Sequence, residues 1–288
     1  METVSSMKVR GYSLSVARRL VSEEAPTVFF LHGSMGTKEQ FSFLLDTHCF
    51  DGFNLVAHDA LGCGGSEKPH LCSAYSTPSL AEDAIYIVKT FASGRNILVG
   101  HSFGCAQAAR VYRALQREVN IEGVILLSGA EHMPSKGHAV FTLPLLLLRC
   151  LEPVLSSQFM KLAYSPHASE ETRRRGRATV PRNDMFVTKA FYRQSEWANA
   201  QDWRAINCPV LLISGEDDKI TPLERAERLR SLLFSNINED GKTCCVCELV
   251  VVKQAGHQVM LEKPEEVADA ITRFLRHIDN SAGDSSSL

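Results

Sequence analysis

The stretch NILVGHSFGCAQAA, from Asn96 to Ala109, limits what this chain can fold into more than any other. Residues 96–99 are an apolar run of strand length, and residues 105–109 read as the start of a helix. Between them stands Gly100-His101-Ser102-Phe103-Gly104. A strand that turns sharply into a helix holds its apex residue in a strained backbone conformation. Glycines two positions to either side are expected because side chains there would collide with neighbouring strands. The turn presents Ser102 Oγ at a helix N-terminus, where the helix dipole favours developing negative charge. The pattern predicts a serine nucleophile.

Short apolar runs at 27–31, 54–58, 123–127, 210–214 and 247–252 join 96–99 as strand candidates, with amphipathic helical patterns between them. That alternation predicts an α/β architecture, a mostly parallel central sheet with helices on both faces. An earlier strand pair is expected within residues 8–20, and a first helix over 38–46. Ser79 and Glu82 read as a capping box, followed by Leu80, Ala84, Ile87, Val88 and Phe91 on one helical face. Thr221, Pro222 and Glu224 read as the N-cap, first-turn proline and capping acid of a helix to about Leu233. Pro264 opens a last helix through about His277. Residues 131–207 break the rhythm and predict a helical cap inserted into a core made of residues 1–130 and 208–279. The polar tail 280–288 predicts disorder.

A serine hydroxyl is a weak nucleophile until a base takes its proton. Of ten histidines, His257 stands out. It follows the strand candidate 247–252 and precedes the last helix, at the carboxyl edge of the sheet where sites assemble. An acid must orient that imidazole. Asp217 and Asp218 follow one strand candidate, and Glu131 follows another. Acyl transfer also needs donors for an oxyanion. The backbone N–H groups of Phe103 and of Ser34, in the loop His32-Gly33-Ser34-Met35-Gly36, are the candidates.

Together His32-Gly33, the turn from His58-Asp59 through Gly62 to Ser66, Gly100 to Gly104, Gly215 to Pro222, and Gly256-His257 resemble the α/β-hydrolase-fold superfamily. The resemblance spans about residues 10–278. It implies Asp218 as the acid, since in this fold the acid follows Gly-x-x before a helix-opening proline, and the chain order Ser102, Asp218, His257. It also implies a Ser–Asp–His hydrolase without settling its substrate. The residues themselves predict hydrolysis of an ester or thioester through an acyl-Ser102, with no metal or organic cofactor. Ser102 argues against the aspartate-nucleophile epoxide hydrolases and dehalogenases of this fold. Relatives acting on phospholipids carry His-x-x-x-x-Asp, whereas the stretch from His257 ends here in Glu262, which argues against acyltransferase activity.

A net charge of −2 offers no footprint for nucleic acid. The run Arg173-Arg174-Arg175-Gly176-Arg177 reads as a solvated stretch, with phosphate or lipid-headgroup binding as the alternative. Residues 141–148 suit either an acyl or lipid substrate or the packing of a cap helix. Leu145 to Leu148 beside Arg149 suggest peripheral membrane contact. No apolar block of secretory or membrane-spanning length is read, and nine cysteines without zinc spacing predict reduced thiols and a cytoplasmic setting. Two rival readings are a catalytically silent scaffold and a carbon–carbon bond hydrolase using the same residues.

Overall fold

In a computed structural model of the chain, residues 3–132, 138–178, 184–234 and 247–285 are described. The chain opens with β1 (Thr3–Val9) and β2 (Tyr12–Arg19), joined by a turn in which Arg10 and Gly11 have φ of 50° and 85°. Both values suit the tight hairpin turns whose twist matches paired strands. β1 starts well before the expected 8–20 window because TVSSMKV has no clear apolar alternation to mark it. β3 (Thr27–Leu31) follows, then a 3-10 turn at Lys38–Phe41 and a single turn α1 (Ser42–Leu45), where a continuous helix over 38–46 was expected. β4 (Asn54–His58) leads to α2 (Thr77–Phe91), β5 (Asn96–His101), α3 (Phe103–Leu115) and β6 (Ile121–Leu127).

Between β6 and β7 (Val210–Gly215) lie α4 (Leu145–Ala163), α5 (Glu170–Ala178), α6 (Met185–Gln194) and α7 (Ala200–Arg204). The chain closes with α8 (Leu223–Phe234), β8 (Cys247–Val252), α9 (Val259–Glu262) and α10 (Pro264–Ser285). α10 continues past the expected His277 and takes in Asn280 to Ser285, six residues of the expected disordered tail, so the helix begun at Pro264 outruns its weak helix formers.

Two caps differ from expectation for a local reason. α2 starts at Thr77, with Ser76 as its cap accepting a hydrogen bond from the Ser79 N–H. Pro78 fits the first turn, where no N–H is required, and this leaves Ser79 inside the helix. Thr221 does not cap α8, because its hydroxyl is committed elsewhere, as described below.

The sheet runs β1-β2-β4-β3-β5-β6-β7-β8, with β1 and β2 antiparallel and all pairings from β4–β3 to β7–β8 parallel. Alternate residues of the central strands enter two separate cores. Phe29, Leu98, Leu126 and Leu212 join α2, α3 and α8 on one face. Phe30, Val99, Ile125 and Ile213 join α1, α9 and α10 on the other. With both faces buried, the free places for polar chemistry are the loops at the strand ends. Ser102, His257 and Asp218 all sit in loops at the carboxyl edge.

Candidate active site

Ser102 joins β5 to α3 with φ 52° and ψ −117°, a combination costly for a residue with a Cβ. Its N–H donates to Leu127 O at 2.9 Å, and its carbonyl accepts from Cys105 N–H at 2.9 Å, so both sides of the turn are pinned. A Cβ on Gly104 would lie 1.9 Å from Leu31 O of β3, the strand collision expected from sequence. The Gly100 case differs, because a Cβ there would meet Gly104 O at 2.6 Å and Cys105 N at 2.7 Å in α3 itself. Gly104→Ala is therefore expected to cost at least about 3 kcal/mol. Urea unfolding checks this against Gly94→Ala, where a Cβ meets nothing within 4 Å and stability should hold.

His257 and Asp218 meet directly. His257 Nδ1–H donates to Asp218 Oδ2 at 2.8 Å, and both side chains are buried. Asp218 Oδ1 accepts from the N–H groups of Ile220 and Thr221, each at 2.8 Å. Thr221 O–H donates to Asp218 Oδ2 at 2.7 Å or turns to Ser128 O at 3.0 Å, and lies 3.1 Å from His257 Nδ1. Burial works to raise the Asp218 carboxyl, but the charge and hydrogen bond of His257, with those from Thr221, hold it below the usual carboxylate range.

The other acids are occupied. Asp217 Oδ2 accepts from Ser165 O–H at 2.5 Å. Glu131 Oε1 pairs with Arg228 at 2.8 Å and His132 at 2.9 Å. Asp218 is thus the candidate acid that orients the imidazole.

Three side chains that sequence reasoning passed over complete this arrangement. Ser128, with φ 52° just past β6, donates through Oγ to His257 O at 2.9 Å. His101 donates through Nε2 to the same carbonyl at 3.0 Å, and its ring lies 5.0 Å from that of His257. His101 belongs to β5 and precedes Ser102, so it brings the His257 loop to the elbow. Burial first, and the neighbouring His257 second, push the His101 imidazole down to about 3, so it stays neutral. Thr221 was read as a cap because Thr-Pro-x-Glu is a helix-start signal, and no sequence feature reports that its hydroxyl is turned inward.

The loop after β3 is held by a second polar network. Ala60 N–H donates to His32 Nε2 at 2.9 Å, which leaves Nδ1–H to donate to Gly33 O at 2.8 Å. Lys38 Nζ reaches Asp59 Oδ2 at 2.7 Å and Ser15 at 3.1 Å, and Asp59 also accepts from the N–H groups of Lys38 and Gly65. Burial opposes the Asp59 charge, yet these bonds keep its carboxyl below the ordinary range. Ser34 follows in this loop and hydrogen-bonds with Tyr192 of α6. Phe103 opens α3, where first-turn N–H groups lack helical acceptors. Its ring packs edge-on against Phe191 and Trp197 at 5.0 and 5.9 Å.

Glu262, the departure noted in sequence, accepts from Gly256 N–H at 3.0 Å and Ser165 N–H at 2.9 Å. Gln258 N–H donates to Ala163 O at 3.1 Å. The end of α4 is thereby stitched to the loop carrying His257.

Cys49, Cys63, Cys72, Cys105 and Cys150 carry free thiols. Cys105 is fully buried and bonded to backbone carbonyls, a packed position closed to solvent. Cys244 and Cys245 lie outside the described residues. Among the described residues no group of three or more His, Cys, Asp or Glu could hold a metal ion. Among them, too, no helix is long and apolar enough to cross a membrane.

The model of an alpha/beta hydrolase family matches residues 28–270. The stretches FFLHG, LAEDA, RNILVGHSFG, CPVLLISGEDDKITP and GHQVMLEKPEEV are worded like abhydrolase domain-containing protein 8. That resemblance is borne out by Protein ABHD8 of Bos taurus, 30% identical over 86% of this chain and 55% of that one. Protein ABHD8 of Homo sapiens is 29% identical, over 86% and 54% respectively. The chain thus spans about half the length of these curated relatives. Among solved structures, an esterase from Exiguobacterium antarcticum superposes with a TM-score of 0.78 at 17% identity, covering 96% of this chain and 100% of its own. At that identity the likeness speaks to the fold.

Proposed function

The chain belongs to the alpha/beta hydrolase family, and we propose that it is a serine hydrolase cleaving an ester or thioester through an acyl-Ser102 intermediate. The observation that carries this reading is the buried Asp218–His257 pair, whose loop is bonded to His101 next to a strained Ser102 at the head of α3. With Nδ1–H committed to Asp218, His257 keeps Nε2 as the proton acceptor. His257 takes the Ser102 proton as Oγ attacks the acyl carbon, and the N–H groups of Phe103 and Ser34 take the charge that develops on the carbonyl oxygen. His257 then protonates the leaving alcohol or thiol, and later draws a proton from the water that releases the acid.

No step requires a metal or organic cofactor. The helices between β6 and β7 act as a cap, with Phe191 and Tyr192 of α6 placing apolar surface at Phe103 and Ser34. An acyl or lipid substrate suits that lining.

Labelling with a fluorophosphonate probe tests the reading. One adduct is expected on the wild type by intact mass and none on Ser102→Ala. A folded wild type that takes no adduct would overturn it and favour a silent binding protein. Turnover of diketones but not of esters would move the chain to carbon–carbon hydrolysis.

A further inference from the structure

α4 is a 19-residue helix in which Leu148 and Ala163 are the buried side chains. Six of the thirteen large hydrophobic side chains exposed among the described residues sit on it: Leu146, Leu147, Leu151, Val154, Phe159 and Leu162, from 36% at Leu151 to 73% at Leu146. Scattered exposed apolar residues need no explanation, but a concentration on one helix does. At about 100° per residue, Leu146, Leu147, Leu151, Val154 and Leu162 fall within an arc of about 160° that turns away from the core.

The surroundings of this face carry positive charge. An open groove overlaps its edge, lined by Ser157 and Lys161 within the arc and by Ser156, Glu170, Arg173 and Arg177 among others. Residues 145–178 hold six cations (Arg149, Lys161, Arg173, Arg174, Arg175, Arg177) against three carboxylates (Glu152, Glu170, Glu171), a balance of +3 in a chain of net −2. A second copy docking symmetrically on this face would set these cations against their own counterparts. An anionic bilayer interface satisfies both features, apolar at the acyl boundary and negative at the headgroups.

The geometry points to α4 as a membrane-docking helix that seats its leucine face in an anionic lipid surface, with the exposed Arg174 and Arg177 of α5 on the headgroups. The same helix ends at Ala163, whose carbonyl accepts from Gln258 N–H next to His257. Its start is tied to α6 by Lys189 Nζ on Leu143 O at 2.5 Å. Docking therefore sets the candidate site against the surface from which an acyl substrate would come. The docking face itself does not depend on Ser102 chemistry.

Flotation with vesicles tests this. The chain is expected to float with vesicles of phosphatidylcholine and phosphatidylserine, to float less with phosphatidylcholine alone, and to be released by salt. The combined variant Leu147→Asp, Leu151→Asp, Val154→Asp should lose partitioning by about tenfold or more per leucine. Arg174→Glu with Arg177→Glu should remove the preference for phosphatidylserine. All five residues are exposed, so urea midpoints and fluorophosphonate labelling should match the wild type. A wild type that stays at the bottom with both vesicles would overturn the proposal, as would flotation indifferent to the three aspartates or to lipid charge. A dimer by light scattering that the three aspartates abolish would assign the face to a second copy instead.

Discussion

Asp218→Asn should lower turnover of a chromogenic aryl ester by about 10⁴-fold while leaving the chain folded. The reason lies in how the carboxylate is shared. Oδ1 accepts two backbone N–H groups, from Ile220 and Thr221, and those donors cannot turn round. An asparagine must therefore keep its carbonyl oxygen at the Oδ1 position and put its NH₂ where Oδ2 was, facing His257 Nδ1. A donor there requires Nδ1 to be the acceptor, which moves the imidazole proton to Nε2. His257 then has nothing with which to take the Ser102 proton.

The fold survives the change because Thr221 O–H turns to Ser128 O, 3.0 Å away. Glu131→Gln is the control, since Glu131 is paired with Arg228 and should leave turnover nearly unchanged. Turnover within about tenfold of the wild type in Asp218→Asn would remove Asp218 from the mechanism.

Acid should destabilise this protein steeply below about pH 6.5, ahead of its ordinary carboxylates. His32, His58 and His101 are buried, and burial lowers all three imidazoles below the usual value. His58 is pushed down to about 4 by burial and the nearby His32, and His101 to about 3 by burial and His257. The unfolded chain binds these protons near pH ~6.5 and the folded chain does not, so stability rises with pH across that window. It is fully present above about pH 6.5 and lost as pH falls toward the folded values.

Each histidine contributes a slope of at most about 1.4 kcal/mol per pH unit. His58 and His101 together remove roughly 4–5 kcal/mol between about pH 6.5 and 4.5, with His32 acting in the same direction, against a total of about 5–15 kcal/mol for a typical domain. Asp83 and Glu262, held above the ordinary carboxylate range chiefly by burial, offset part of this as they protonate. Asp59 and Asp218, held below it, add their own loss only at lower pH. Urea titrations from about pH 7.5 to 4.5 read the slope, and His58→Phe should flatten it by about one proton. A midpoint constant to about pH 5 would show that these imidazoles are protonated in the folded chain.

Much of the frame was written in local sequence. The runs 27–31 and 54–58 became β3 and β4 with the expected bounds, because a strand buried on both faces reads as a near-continuous apolar run, with polar Thr27, Asn54 and His58 only at the ends. The elbow was equally legible, since no residue but glycine fits at 104 against Leu31 O. β1 was not legible in its true place, because an exposed edge strand pairs through backbone atoms that any side chain allows.

Residue type and chain position thus determined the sheet, the elbow at Ser102 and the candidate histidine His257. The resemblance pointed to Asp218, but charge and residue type did not separate it from Glu131 and Asp217; tertiary structure shows Asp218 facing that histidine, because of which loops fold against it. It also recruited Thr221, Ser128 and His101, whose partners lie up to 156 residues away in the chain. It turned the leucines of α4 outward, as well. A hydrogen bond or an exposed face is a relation between distant segments, and local sequence encodes the groups that can form it but not the ones that meet.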